Sequence, residues 1–120
     1  MALSHVEVDL DGVRRLRFPI EQLRQLQRRM GGLSLLQIAN RLQELDLDLI
    51  VWAFWYGLQW DDRRTTPEQV QALLQAHLDR GGRLLDVVNP LVEAFGYGSG
   101  LRRAEEAEGS PKAPAAAPGT

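Results

Sequence analysis

The stretch Leu49-Ile-Val-Trp-Ala-Phe-Trp-Tyr-Gly-Leu-Gln-Trp60 decides the architecture of this chain, because it is apolar nearly all round. At about 100° per residue it has two apolar rows, one with Ile50, Phe54 and Leu58, the other with Leu49, Trp52, Tyr56 and Trp60. Such a helix is buried on most sides. We therefore expect residues 49–59 to form either the central helix of the domain or a helix partly covered by a partner. Asp46 or Asp48 is the candidate N-cap.

Two amphipathic helices are predicted before this stretch. The first follows Pro19 and has an apolar stripe at helical spacing formed by Ile20, Leu23, Leu26 and Met30. Its arginines Arg24, Arg28 and Arg29 are expected in solvent. A glycine pair at 31–32 ends it. The second begins at Ser34, a favoured N-cap residue, and its apolar stripe is Leu35, Ile38, Leu42 and Leu45.

Two further helices are predicted after the aromatic stretch. The segment Thr66-Pro-Glu-Gln69 combines an N-cap, a proline at the first helical position and a capping-box glutamine. The stripe that follows is Val70, Leu73, Leu74, His77 and Leu78, and a glycine pair at 81–82 ends it. The last helix is expected to turn inward Leu84, Leu85, Val88, Leu91, Val92 and Phe95. Pro90 should kink or split that helix, or restart it with Asn89 as a new cap.

The N-terminal residues 5–18 predict a β-hairpin. Residues 5–10 alternate, with Val6, Val8 and Leu10 on one face, and Asp11-Gly12 is a strong turn signal between two such runs. On the second strand, Leu16 and Phe18 share a face. The fold class is therefore mainly α, with an N-terminal β-hairpin followed by about five helices in a compact bundle.

The chain has room for one folded domain and a tail. Its length is 120 residues (13.5 kDa), and its composition changes after Gly96 to glycine, glutamate, alanine and proline with few large apolar residues. Such a composition cannot bury a core. We expect a domain over residues 1–97 and a disordered Pro/Ala/Glu-rich tail over residues 98–120.

Composition excludes cysteine chemistry and leaves little for a histidine-based site. There is no cysteine, and His5 and His77 are the only histidines, so no catalytic, cofactor-binding or metal-binding residue is predicted. His77 lies on an apolar stripe and is interpreted as a hydrogen-bonded histidine at the edge of the core. The glycine pairs match no phosphate-binding motif. The chain is not expected to be an enzyme or to need a cofactor.

Net charge and hydropathy narrow the classes of partner that this chain is expected to bind. Fourteen basic against sixteen acidic residues give a net charge of −2, which argues against nucleic acid as the main partner. Residues 1–10 lack the apolar core of a signal peptide, and the longest apolar run is about ten residues, against the roughly 20 that span a bilayer. A soluble, cytoplasmic protein without a membrane partner is expected.

The aromatic cluster of the central stretch allows two interpretations. Large aromatic side chains often fill cores, but tryptophan and tyrosine are also enriched at interface hot spots. The two roles are compatible. The candidate set for partner binding or self-association is Leu49, Trp52, Trp55, Tyr56, Trp60, Leu91 and Phe95. Self-association would cover an apolar face in the absence of a partner, so a homo-oligomer is expected.

The order of these features resembles a known family. The hairpin Val6-Glu-Val-Asp-Leu-Asp-Gly-Val-Arg-Arg-Leu-Arg-Phe18 runs into the helix Glu21-Gln-Leu-Arg-Gln-Leu26. The aromatic helix, the start Thr66-Pro-Glu-Gln-Val70 and a closing Leu/Val helix follow. Over about residues 5–97, the chain is similar to the small tail assembly chaperones of long-tailed phages and the related protein of gene transfer agents.

This resemblance implies a non-enzymatic role in building a phage tail. Members of the family bind the long, helical tape measure protein, keep it soluble and bring tail tube subunits to polymerise around it. They act in the host cytoplasm and are absent from the finished virion. The family also often makes a longer product by ribosomal frameshifting, and the tail near Ser110 suits a linker to such an extension.

Two alternatives from other classes stay open. One is a structural virion component, such as a head–tail connector or a minor tail protein. The other is a small DNA-binding regulator that uses the first two helices. For base recognition the second helix offers only Gln37, Asn40, Arg41 and Gln43.

Overall fold

The computed structural model describes residues 5–101 and confirms the predicted fold class. An antiparallel hairpin, β1 (Val6–Asp9) and β2 (Val13–Leu16), precedes five helices. The helices are α1 (Ile20–Arg29), α2 (Leu35–Gln43), α3 (Leu47–Leu58), α4 (Pro67–Asp79) and α5 (Leu85–Ser99).

The hairpin has the predicted turn. Val6 pairs with Leu16 and Asp9 with Val13, and both Asp11 and Gly12 have positive φ, at 55° and 104°. Glycine adopts this conformation without strain, and aspartate tolerates it better than most residues. The second strand ends at Leu16, two residues before the predicted Phe18. Four side chains of the strands and the residues beside them are buried: Val8, Leu10, Leu16 and Phe18.

The aromatic helix α3 is the centre of the domain, as one of the two expectations had it. It packs against α1, α2, α4, α5 and β2, while α5 packs against both strands and three helices. The Asp46 carboxylate accepts the Leu49 N–H at 3.3 Å, so α3 begins at Leu47, two residues before the predicted start. Asp48 lies in the first turn and is not the cap.

The caps predicted for α2 and α4 are confirmed. The Ser34 hydroxyl accepts the Gln37 N–H at 3.1 Å, and the Gln37 side chain accepts the Ser34 N–H at 2.8 Å. Thr66 and Gln69 form the same reciprocal pair, at 3.1 and 2.9 Å, with Pro67 at the first helical position. Each capping box satisfies two backbone donors that a helix start leaves free.

Several residues expected on buried stripes are exposed: Ile20 (71%), Leu45 (40%), Leu78 (41%) and Leu85 (44%). All four lie at or beside the end of a helix, where the neighbouring elements no longer cover the side chain. Leu45, in the turn after α2, also has a positive φ of 65°. On α5 the inward position is taken by Val87, which is buried.

Helix α5 differs from its prediction in two ways. It continues through Pro90 without restarting at Asn89, because buried residues on either side of the proline, such as Val88 and Leu91, hold the helix to the core. It also extends to Ser99, past the predicted domain boundary after residue 97. The rest of the predicted tail, from residue 102, lies outside the described residues.

Helices α3 and α5 meet the hairpin through close packing. The Phe18 and Phe95 rings pack edge to face with centroids 5.5 Å apart. The Arg17 N–H donates to the Gly57 carbonyl at 2.9 Å. A Cβ on Gly57 would lie 3.0 Å from the Phe18 Cζ. The end of the hairpin therefore lies directly on the backbone of α3.

Candidate protein-binding surface

Four of the seven residues predicted for partner binding belong to the core. Leu49, Tyr56, Leu91 and Phe95 each expose at most 4% of their surface. They are buried because of tertiary packing. Neighbouring elements cover α3 on nearly every side, and the inner face of α5 lies beneath the hairpin. In the folded domain Leu49, Leu91 and Phe95 do not form a binding surface, and Tyr56 reaches the surface only at the side of a groove. The partly exposed members are Trp52, Trp55 and Trp60.

Trp52 and Trp55 form one aromatic unit, which we call the tryptophan pair. Their ring centroids are 5.8 Å apart at an interplanar angle of 80°. Tyr56 supports the pair from the buried side, with its ring centroid 4.8 Å from that of Trp55 and 6.4 Å from that of Trp52. Edge-to-face packing of this kind holds the rings in fixed orientations.

Trp55 also anchors the loop between α3 and α4. Its Nε1–H donates to the Thr65 carbonyl at 2.7 Å, and the Gln59 amide lies 3.4 Å from the same oxygen. Thr65 is buried, and its hydroxyl donates to Asp62 at 3.0 Å. The Trp55 indole therefore has an internal structural role that explains its orientation.

Trp52 has no comparable internal role for its polar atom. Within residues 5–101, no acceptor lies within hydrogen-bonding distance of its Nε1–H. Its ring is covered instead by the Arg29 guanidinium of α1, whose Cζ is 4.1 Å from the ring centroid. At this distance the cation is attracted to the face of the indole. Trp52 and Arg29 thus make a flat unit, partly open to solvent, across the boundary between α1 and α3.

A shallow groove of about 400 Å³ lies beside this unit. It is lined by Gln25, Arg28, Arg29 and Tyr56. Arg24, Arg28 and Arg29 are exposed, as the pattern of α1 predicts. The groove has a polar rim on α1 and an aromatic wall on α3.

Trp60 is separate from the pair and lies against the hairpin. Its ring centroid is 5.9 Å from that of His5 and 5.7 Å from the Arg17 Cζ. The buried Trp60 Nε1 and His5 Nδ1 have no hydrogen-bond partner within the described range. Trp60 therefore packs on the hairpin and does not belong to the surface formed by Trp52 and Arg29.

A larger cleft, of about 770 Å³, opens between the hairpin turn, the α3–α4 loop and α4. Its floor is apolar, from Ala72, Leu73 and Ala76. Its walls carry three arginines and three aspartates: Arg14, Arg63, Arg64, Asp11, Asp61 and Asp62. The sequence interpretation of residues 61–65 as a polar loop missed this cleft, because its walls come from segments about fifty residues apart.

His77 has a structural environment, as predicted. Its Nε2 lies 3.0 Å from an Asp86 carboxylate oxygen and 3.2 Å from the Arg83 carbonyl. Both neighbours are acceptors, so Nε2 bears the hydrogen. The Arg83 N–H also donates to Asp86 at 2.8 Å. This backbone hydrogen bond, followed by the one from His77, lowers the pKa of the Asp86 carboxyl. The group ties the end of α4 to the start of α5.

Residues 5–101 contain no group of three or more His, Asp or Glu side chains placed to hold a metal ion. None of the helices in this range is both long enough and apolar enough to cross a membrane. Comparison with protein-family models, curated proteins and solved structures found no match to this chain.

Proposed function

We propose that this chain is a phage tail assembly chaperone. In this role it binds the tape measure protein in the host cytoplasm, keeps that long helical client soluble and recruits tail tube subunits. It is absent from the finished virion. The proposal starts from the resemblance over residues 5–97 and is supported by one observation above all. Trp52, stacked with Arg29, stays partly open to solvent on the central helix of the domain.

The chemistry of this surface suits protein binding. Tryptophan, tyrosine and arginine are the residues most enriched at interface hot spots. Here Trp52 and Arg29 lie side by side, and Tyr56 supports them from below. Because the rings are already packed in fixed positions, binding orders few additional side chains, which favours affinity.

The shape suits a helical client. An amphipathic helix binds by placing its apolar face in a groove, with anchors three and four residues apart. The groove between α1 and α3 would take one such anchor, and the part of Trp52 that Arg29 leaves uncovered would contact the next turn. Covering the apolar face of the client in this way would keep it from aggregating. When no client is present, a second copy of the chain would cover the same surface.

Co-expression with a fragment of the tape measure protein tests this proposal. We expect soluble co-elution in size-exclusion chromatography with light scattering, and a free chaperone that runs as an oligomer. Trp52→Ala should weaken client binding by about 2 kcal/mol, the scale of a hot-spot residue. Trp60→Ala is the matched control, because Trp60 lies against the hairpin. Circular dichroism checks that both variants fold.

Three results would contradict the proposal. In the first, the tape measure fragment stays insoluble with the wild-type chain. In the second, a folded Trp52→Ala variant binds the client as tightly as the wild type. In the third, mass spectrometry finds the protein at stoichiometric amounts in purified particles, which would favour a structural virion component.

A further inference from the structure

The outward side of α1 is basic and lacks carboxylate partners. Arg24 and Arg28 are one helical turn apart, and Arg29 follows. All three are exposed. Within residues 5–101, no carboxylate lies within 4 Å of their guanidinium groups. The only carboxylate of α1, on Glu21, lies 3.4 Å from the Gln25 amide. We call Arg24, Arg28 and Arg29 the α1 basic row.

Several arginines elsewhere in residues 5–101 lie near a carboxylate. Arg15 lies 3.8 Å from Glu7 and 3.9 Å from Asp61, and Arg41 lies 3.6 Å from Asp46. In the larger cleft, Arg63 and Arg64 share a wall with Asp61 and Asp62. The basic row is therefore a local excess of positive charge on a chain whose net charge is −2. Exposed charges act mostly within about 10 Å at 0.1 M salt, so the local excess governs what binds there.

The basic row is continuous with the proposed client surface. Its last member, Arg29, stacks on Trp52 at 4.1 Å, and Arg28 and Arg29 line the groove that Tyr56 closes on the other side. A helix whose apolar side chains contact Trp52 and the groove brings its flanking residues close to Arg28 and Arg29, and Arg24 lies one turn of α1 before Arg28. The charge of those residues then decides whether contact is favourable.

We infer that this surface selects an acidic amphipathic helix: the apolar stripe of the ligand lies on Trp52 and in the groove, and its carboxylates pair with Arg24 and Arg28. The inference rests on the proposed client-binding function and specifies which part of the client binds. Four residues of helix rise about 6 Å. Glutamates at i and i+4 of a helix lying along α1 have the same spacing as the two arginines.

A nucleic acid fits this surface less well. A duplex presents one phosphate charge per about 1.7 Å along its axis and extends far beyond a row of three arginines. It would then lie over the remaining surface of an acidic protein, where repulsion weakens binding. A short helix with two or three carboxylates and an apolar stripe uses both the charges and Trp52.

The test uses the full chain and three synthetic peptides of about 20 residues, long enough to form helix when bound. The peptides share one leucine stripe and differ only in the flanking positions, which are all Glu, all Gln or all Lys. In fluorescence anisotropy at low salt, we expect the Glu peptide to bind about tenfold more tightly than the Lys peptide. Added salt should reduce this difference.

Two double variants, one in the basic row and one in the larger cleft, have the same net charge as each other. Arg24→Glu with Arg28→Glu should weaken binding of the Glu peptide about tenfold and restore binding of the Lys peptide. Arg63→Glu with Arg64→Glu changes the charge equally in the larger cleft and should leave both affinities unchanged. If the first double variant does not fold, Arg24→Gln with Arg28→Gln replaces it and should remove the preference without reversing it.

Several outcomes would overturn the inference. Equal affinity of the wild type for the Glu and Lys peptides would contradict it. An equal loss of affinity for the Glu peptide in the two charge-reversal variants would contradict it as well. A DNA duplex of about 20 base pairs serves as a competitor. If it binds more tightly than the Glu peptide and depends on Arg24 and Arg28, the basic row is a nucleic-acid site.

The same variants separate this inference from the proposed function. If the tape measure fragment co-elutes equally with the wild type and the Arg24/Arg28 variant, the function stands and the acidic-helix site is wrong. If the fragment never co-elutes but the Glu peptide binds through Arg24 and Arg28, the site stands and the tape measure protein is not its ligand.

Discussion

Gly98, near the end of α5, lies directly against Phe18, at the end of the hairpin. A Cβ on Gly98 would overlap the Phe18 carbonyl oxygen and lie 2.6 Å from the Phe18 Cβ. One turn earlier on α5, the Phe95 ring packs edge to face on the Phe18 ring. The contact thus joins the segment after β2 to the last helix, and it leaves no space for a side chain at position 98.

Gly98→Ala should destabilise the domain by about 1–3 kcal/mol, the usual range for a side chain forced into packed surroundings. The obstacle is backbone, which moves only if α5 and the hairpin separate. Gly57→Ala should cost less, because its nearest neighbours are the flexible ends of Phe18 and Leu16. Urea unfolding measures both, with Ser99→Ala as a control. Equal stability of Gly98→Ala and wild type would show that this contact is not tight.

Trp55→Phe should lower stability by about 1 kcal/mol, because it removes the indole donor to the buried Thr65 carbonyl. Trp52→Phe should have a smaller effect on stability, since no internal acceptor bonds the Trp52 indole among the described residues. The order should reverse for client binding. Thermal unfolding and anisotropy on the same samples compare the two. The division of roles is wrong if Trp55→Phe leaves stability unchanged.

Thr66→Ala should cost about 1 kcal/mol, because the first turn of α4 loses the hydroxyl that accepts the Gln69 N–H. Thr66→Ser keeps that oxygen and should retain most of the stability. Chemical denaturation measures these differences, with the unfolding free energies of all variants fitted to one common denaturant dependence (m-value). A Thr66→Ser variant as unstable as Thr66→Ala would mean that the methyl group, not the cap, matters.

The environment of Asp86 predicts that the free energy of unfolding decreases at acid pH. Its pKa is lowered below the ordinary value of 3.8, first by the Arg83 N–H and then by His77. Folding therefore favours the charged carboxylate. The stability from this group is present above pH 3.8 and is lost as the pH falls through the lower folded pKa. Asp86→Asn should be less stable than wild type near neutrality, and the gap should narrow below pH 3.8. A gap that stays constant down to pH 2 would contradict this account.

Local signals predicted the elements well because their partners are close in sequence. The capping boxes at Ser34 and Thr66 join residues three apart, and the Asp11-Gly12 turn depends on the φ of its own residues. Helix α3 was predicted to be either central or partly covered by a partner, because its apolar residues leave no polar face. These features depend on short-range geometry, which is visible in a single sequence.

Which apolar residues stay exposed was decided by the tertiary structure. Ile20 and Leu85 fit their stripes by spacing but lie at helix starts without cover. Leu91 and Phe95 were candidates for a surface and are buried beneath the hairpin. Spacing along a helix sets only the direction of a side chain, whereas its burial depends on which other element lies there.

The sequence alone therefore determined the hairpin, the number of helices, the caps of α2 and α4 and the aromatic character of α3. Only the tertiary structure placed Arg29 on Trp52, Phe18 on Gly98 and the basic row beside the tryptophan pair. These pairs are separated by 23 to 80 positions along the chain. Contacts at such distances form only when whole elements pack, and no local pattern of residues encodes them.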